Sequence, residues 1–174
     1  MNGPLLIPTH ISKYGCYSSY CIFAAGLIVS IYERYIIALL AFFQSIVSYF
    51  NWKTVKKYGW VKTIDILIAC IMIIYITFVD STYFRPKYRQ LWYTTVYVII
   101  AVFIMNELLL YYQVKAPVYE SNSSSQTSEY FSLNYTAPGS PQREYAYYRS
   151  TFTHIMFIHL IPSMVVVYCI YQSV

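Results

Sequence analysis

The chain is 174 residues long, 58% hydrophobic and only 11% charged, with a mean hydropathy of +0.45, which excludes an ordinary water-soluble domain and points to a helical membrane protein. Its net charge of +5 comes from 12 Lys+Arg against 7 Asp+Glu, but no basic stripe interleaved with aromatics lies on any polar segment, so nucleic acid is not expected as a partner. Cys16, Cys21, Cys70 and Cys169 form no CxxC pair, which indicates neither a disulfide framework nor a zinc ribbon.

Residues 1–16 form an N-terminal segment with Pro4, Pro8 and His10. It lacks the basic start and apolar run of a cleavable signal, so insertion is expected to be signalled by the spans themselves. A membrane domain over 17–113 follows. Its first apolar stretch, Tyr17 to Phe50, is about twice the length of one span and is interrupted by Glu33-Arg34. Unbroken, it would bring both charges near the bilayer centre, at about 2.5–3.5 kcal/mol each. Spans over 17–32 and 35–52 with a tight turn between them avoid that cost, although the turn has no Gly or Pro. The alternative lays the first segment in the interface.

Further spans are expected over 64–79 and 91–113. Residues 114–150, with the run Ser121 to Ser128 and then Ala137-Pro138-Gly139-Ser140-Pro141, read as a flexible Ser/Pro-rich loop outside the membrane. Residues 151–174 contain the last span, bent or locally opened at Pro162. The fold class is therefore all-α, a polytopic transmembrane helical bundle of five spans, or four under the alternative. Many of the 22 tyrosines stand near span ends, as in the aromatic belt of membrane interfaces.

Orientation follows from the basic residues. With five spans, Lys13, Lys53, Lys56, Lys57, Lys62, Lys115, Arg143 and Arg149 share one side, against Arg34, Arg85, Lys87 and Arg89 on the other. The N-terminus and the Ser-rich loop are thus expected to be cytoplasmic. The sequons at Asn122 and Asn134 would demand the opposite orientation if glycosylated; Ser/Thr-rich loops make such triplets by chance.

Polar groups at membrane depth are costly and mark functional candidates. Asp65 opens the third span three residues after Lys62, a spacing that gives a local ion pair. Asn106 and Glu107 lie within the fourth span, with Tyr111 as a local partner for Glu107 or a histidine of the last span as a distant one. Gln44, Ser45 and Ser48 form a polar stripe suited to helix packing. His154 and His159 stand five residues apart, about 140° on an ideal helix, so sharing a metal requires a local opening such as Pro162 allows.

The succession of Ser45, a basic loop, Asp65 and the terminal pair His154 and His159 resembles the CREST membrane hydrolases, which include alkaline ceramidases and hemolysin III-like proteins. The resemblance implies zinc as cofactor, with Ser45 and Asp65 in the family's serine and aspartate positions and His154, His159 and Asp65 as metal ligands, activating water for amide or ester hydrolysis. The family's terminal histidines are spaced by four, it carries a histidine near the aspartate, and it has about two more spans. The run Ser45 to Trp52 with Val61 to Ile66 is also similar to short uncharacterised membrane proteins of large DNA viruses and protists, which implies a fold and no activity. The reading taken is a small non-catalytic integral membrane protein without a cofactor, whose partners are the lipid bilayer and other membrane proteins. A zinc-dependent lipid amide or ester hydrolase and an accessory subunit of a larger membrane complex are the alternatives.

Overall fold

The computed structural model describes residues 7–53, 55, 60–110 and 141–174. They form α1 (Thr9–Ile31), α2 (Tyr35–Lys53), α3 (Trp60–Phe78), a 3₁₀ turn (Asp80–Tyr83), α4 (Pro86–Leu110), α5 (Pro141–His154), a π-helical segment (Ile155–Leu160) and α6 (Ile161–Tyr171). The last three run on as one helix, so five helices are long and apolar enough to cross a membrane. The chain is an all-α bundle, and no strand occurs among the described residues.

Both helices at the chain's outer ends begin earlier than hydropathy alone places them. The first starts at Thr9 rather than 17, behind Pro8, whose carbonyl accepts from the Ile11 and Ser12 amides at 3.0 Å. Its added turns bury Ile11 and Gly15 against the bundle while Tyr14 and Tyr17 face outward. The last begins at Pro141, ten residues before the expected span, so 141–150 belongs to a helix and not to the loop. Proline suits a first helical turn because that amide has no intrahelical acceptor. Ala146 and Tyr147 then pack with Ile7, Ile11, Trp52 and Val55. Such interfacial turns carry charge on their outer face, which masks them in a search for apolar runs. The rest of the expected loop, with Asn122 and Asn134, lies outside the described residues.

The α1–α2 turn is closed without glycine. Arg34 N–H donates to Val29 O at 3.2 Å and Glu33 N–H to Ser30 O at 3.1 Å, the pairing of a Schellman motif. Glu33 takes the left-handed conformation that motif requires, with φ 60°. Arg34 then pairs with the buried Asp80 at 3.5 Å and lies 4.7 Å from the Tyr83 ring centroid, tying this turn to the α3–α4 connection.

Small residues bring α1 and α2 close, as lipid-solvated helices require. Gly15 lies under the Trp52 indole, and Gly26 meets Phe42 and Ala41. At the end carrying Ile31 and Tyr35, an apolar cluster joins Val29, Ile37, Ile76, Trp92, Val166 and Ile170. At the other end stands the smaller cluster around Ile7, Ile11 and Trp52. Between the two lies a layer of buried polar side chains.

Candidate functional site

The site is built on the irregular stretch of the last helix. Pro162 has no N–H to donate, and its ring crowds the carbonyl four residues earlier, at Ile158. The preceding turn widens to π geometry over Ile155–Leu160, in which residue i+5 comes back over residue i. The separation expected of an ideal helix therefore does not apply: the His154 and His159 rings lie 5.0 Å apart between centroids. Trp52 from α2 packs edge-on against both, at 5.1 and 6.4 Å.

His159 is 2% exposed and has a partner at each nitrogen. Ser18 Oγ lies 2.7 Å from Nδ1, and Ser48 Oγ lies 3.4 Å from Nε2. The Ser18 hydroxyl also donates to Gly15 O at 2.8 Å. One assignment satisfies all three contacts: Nδ1–H donates to Ser18, and Ser48 donates to Nε2.

Asp65 is buried one layer nearer the α3 start. Gln44 Nε2 donates to its Oδ1 at 2.7 Å, and Asn51 Nδ2 to its Oδ2 at 2.8 Å. The helix–helix amide contacts thus take the place expected for a local pair with Lys62, which stands beside Asp65 on a cavity wall. Gln44 has its other end, Oε1, buried without a hydrogen-bond partner among the described residues.

That cavity measures about 140 Å³ and draws polar side chains from four helices: Asn51 of α2, Lys62 and Asp65 of α3, Asn106 and Glu107 of α4, and Ser150 and His154 of α5. Trp52 and Phe103 supply aromatic walls. Asn106 Nδ2 donates to Ser150 O at 3.3 Å, joining α4 to α5. Glu107 and His154 therefore share one cavity, while the alternative partner Tyr111 lies outside the described residues.

Of the residues singled out by sequence, the structure brings Asp65, Glu107 and His154 to one cavity and His159 to its inner side through Trp52 and Ser48. Ser45 turns elsewhere, lining a groove with Ser19, Tyr20 and Phe23, whereas Ser48, three residues on, faces His159. Among the described residues, no group of three or more His, Cys, Asp or Glu stands so as to hold a metal ion. The two imidazoles are adjacent, but both Asp65 oxygens accept amide hydrogen bonds, so this donor set does not fit the three-ligand centre of a catalytic zinc. Sequence reasoning missed Ser18, Asn51 and Trp52. The signal for Asn51 was its place seven residues after Gln44, two helical turns along one face; for Ser18 there was none.

No protein-family model, curated protein or solved structure matches the chain.

Proposed function

We propose that the chain is a non-catalytic, multi-pass membrane protein that holds a small polar ligand in the cavity between α2, α3, α4 and α5, with the N-terminus, the Ser-rich loop and the more basic side of the bundle, which carries the cavity, on the cytoplasmic side. One observation carries this reading: polar side chains from four helices, all belonging to candidate membrane spans, line a single cavity toward one end of the bundle. Polar groups in lipid-embedded helices are costly unless they pair or serve a site. Pairing alone accounts for Asp65 and His159, which are saturated by neighbours; it does not account for a polar space left between the helices. The same saturation argues against acid–base chemistry at Asp65 and His159.

Native mass spectrometry of the full chain, released from mild detergent, tests the reading. The expected result is a stable lone protomer carrying a small-molecule adduct, which Asn106→Leu removes. A bare protomer with Asn106→Leu at least as stable as the parent refutes it. A chain that holds together only with a second membrane protein replaces it with the accessory-subunit reading.

The zinc hydrolase reading has one support, the π turn that sets the two imidazoles side by side. Elemental analysis of protein purified without chelator decides it. Near-stoichiometric zinc lost in His154→Ala/His159→Ala establishes a metal centre; zinc far below one per protomer ends that reading.

A further inference from the structure

A serine inside a helix commonly turns its hydroxyl back to a carbonyl three or four residues earlier. Ser18, Ser19 and Ser30 of α1 do so, at 2.8, 3.1 and 2.6 Å. Ser45 of α2 does not. It is 6% exposed, makes no hydrogen bond among the described residues, and lines a groove of about 300 Å³ between α1 and α2. The groove faces outward, since Tyr20, Phe23, Ile46 and Phe50 on its walls are all exposed. Arg34 lies eleven residues before Ser45 and Lys53 eight after it, about 17 and 12 Å along the helix axis. The hydroxyl therefore stands well inside a hydrocarbon core about 30 Å thick, beyond the reach of lipid headgroups. A hydroxyl without a partner in that medium is costly. The group that satisfies it has to lie within the membrane, where the polar side chains of other spans are found.

We infer that this groove is a pairing surface for a second copy of the chain, the two copies meeting through α2 in the bilayer. A hydroxyl both donates and accepts, so two Ser45 side chains satisfy one another across a twofold axis. A copy inserted in the same direction brings its own Ser45 to the same depth, which a different protein would match only by coincidence. Beside the groove, Leu39, Phe43, Ile46 and Phe50 follow at intervals of four, three and four, each more than half exposed. That is the spacing of a left-handed helix pair. Ile46 and Phe50 also border the groove, so the twofold axis seats the ridge of each copy in the groove of the other. Ser19 and Ser45 in the groove are small enough to let the backbones approach. The groove shares no residue with the polar cavity, and pairing is independent of the ligand held there.

Pairing is measured in phosphatidylcholine liposomes, because detergent tails cover the same face. The full chain carrying Ser45→Cys is oxidised with copper phenanthroline. The parent, with its four free cysteines, is the blank, and Leu67→Cys, on an exposed face of α3, is the control. A disulfide demands Cα atoms about 4.4–6.8 Å apart, so the expected result is a covalent dimer at position 45 well above both. Energy transfer between dye-labelled copies, followed as lipid dilutes them, gives the affinity. Ser45→Ala should weaken it about threefold, the worth of one interhelical hydrogen bond. Phe50→Ala should weaken it about tenfold by cutting the ridge. Phe50 is exposed in the protomer, so this variant leaves protomer melting unchanged and keeps the test decisive where a change at Ser45 disturbs the fold. Cross-linking at 45 no greater than in the blank and control, or a chain that stays single at every dilution, overturns the inference. A dimer whose affinity neither substitution changes overturns it as well, since such a dimer uses another face. None of these results touches the reading of the polar cavity.

Discussion

Gly15→Ala sets two physical effects against each other, and the structure says which prevails. In the interior of a helix, replacing glycine with alanine ordinarily gains about 0.8–1 kcal/mol. Here a Cβ at Gly15 would fall 2.0 Å from Trp52 Cδ2 and 2.4 Å from Cγ and Cε3, where carbon contacts prefer about 3.5–4.0 Å. The atoms struck lie at the root of the indole and not at its tip. The ring is buried and hemmed in by His154 and His159, so relief requires moving α1 away from α2. Overpacking of this kind costs about 1–3 kcal/mol. At the upper end of that range, after subtracting the propensity gain, a net loss of about 2 kcal/mol remains. Reversible SDS titration in mixed micelles measures it. Trp52→Leu in the Gly15→Ala background removes the clash and should return at least about 1 kcal/mol as coupling. Gly26→Ala is the control: its Cβ would meet the outer edge of Phe42 at 2.8 Å, a ring less confined than Trp52, and the loss should be smaller. A Gly15→Ala protein as stable as its parent, or more so, would refute the close packing of α1 on Trp52.

Other perturbations bear on the remaining joints. Glu33→Gly should gain about 1 kcal/mol in the same titration, because glycine takes the φ of 60° without the left-handed penalty. Arg34→Gln should lose about 2–3 kcal/mol by leaving the Asp80 carboxylate buried and unpaired, and Arg34→Gln/Asp80→Asn should recover most of it. Pro162→Ala restores a backbone donor and should slow hydrogen exchange over 155–160 by roughly tenfold as the π turn regularises; unchanged exchange would show that Pro162 does not hold it open. Translation into microsomes should leave Asn122 and Asn134 without glycan, and attachment at either would reverse the orientation proposed for the chain.

What the sequence revealed, and what it hid, follows from how each feature is encoded. Long apolar runs broken by charge are a one-dimensional signal, so five spans could be counted and the break at Glu33-Arg34 located. The missing glycine there was no obstacle, because Glu33 itself adopts the positive φ and Arg34 finds a buried partner in Asp80. Helix starts were misplaced where turns lie at the interface and carry charge outward, over 9–16 and 141–150. The candidate site was half legible. Asp65, Asn106, Glu107 and the two histidines stand out as polar residues in apolar surroundings, but their mutual placement depends on a π turn that the ideal helical angle does not anticipate. Pro162 marked where the opening would come. Ser18, Asn51 and Trp52 are unremarkable in sequence and matter only because helices distant along the chain converge on them.

The distribution of polarity along the bundle bears on what kind of site this is. Lys62 and Asp65 lie two and five residues beyond the start of α3, about 3 and 7.5 Å along its axis, so the cavity occupies one end of the spans. Beyond it, His159 and Gln44 border a second, mostly aliphatic space of about 50 Å³ among Ile76, Trp92 and Val166. The far end is packed by the apolar cluster that includes these same three residues. A conduit for ions or protons needs polar groups or water on both sides of the midplane. Here the described polar layer reaches His159 and gives way to hydrocarbon, with the next buried charge, Asp80, already paired to Arg34 at the opposite end. A polar cavity that ends within the described bundle has the form of a receptacle, which is why binding is the function proposed for it.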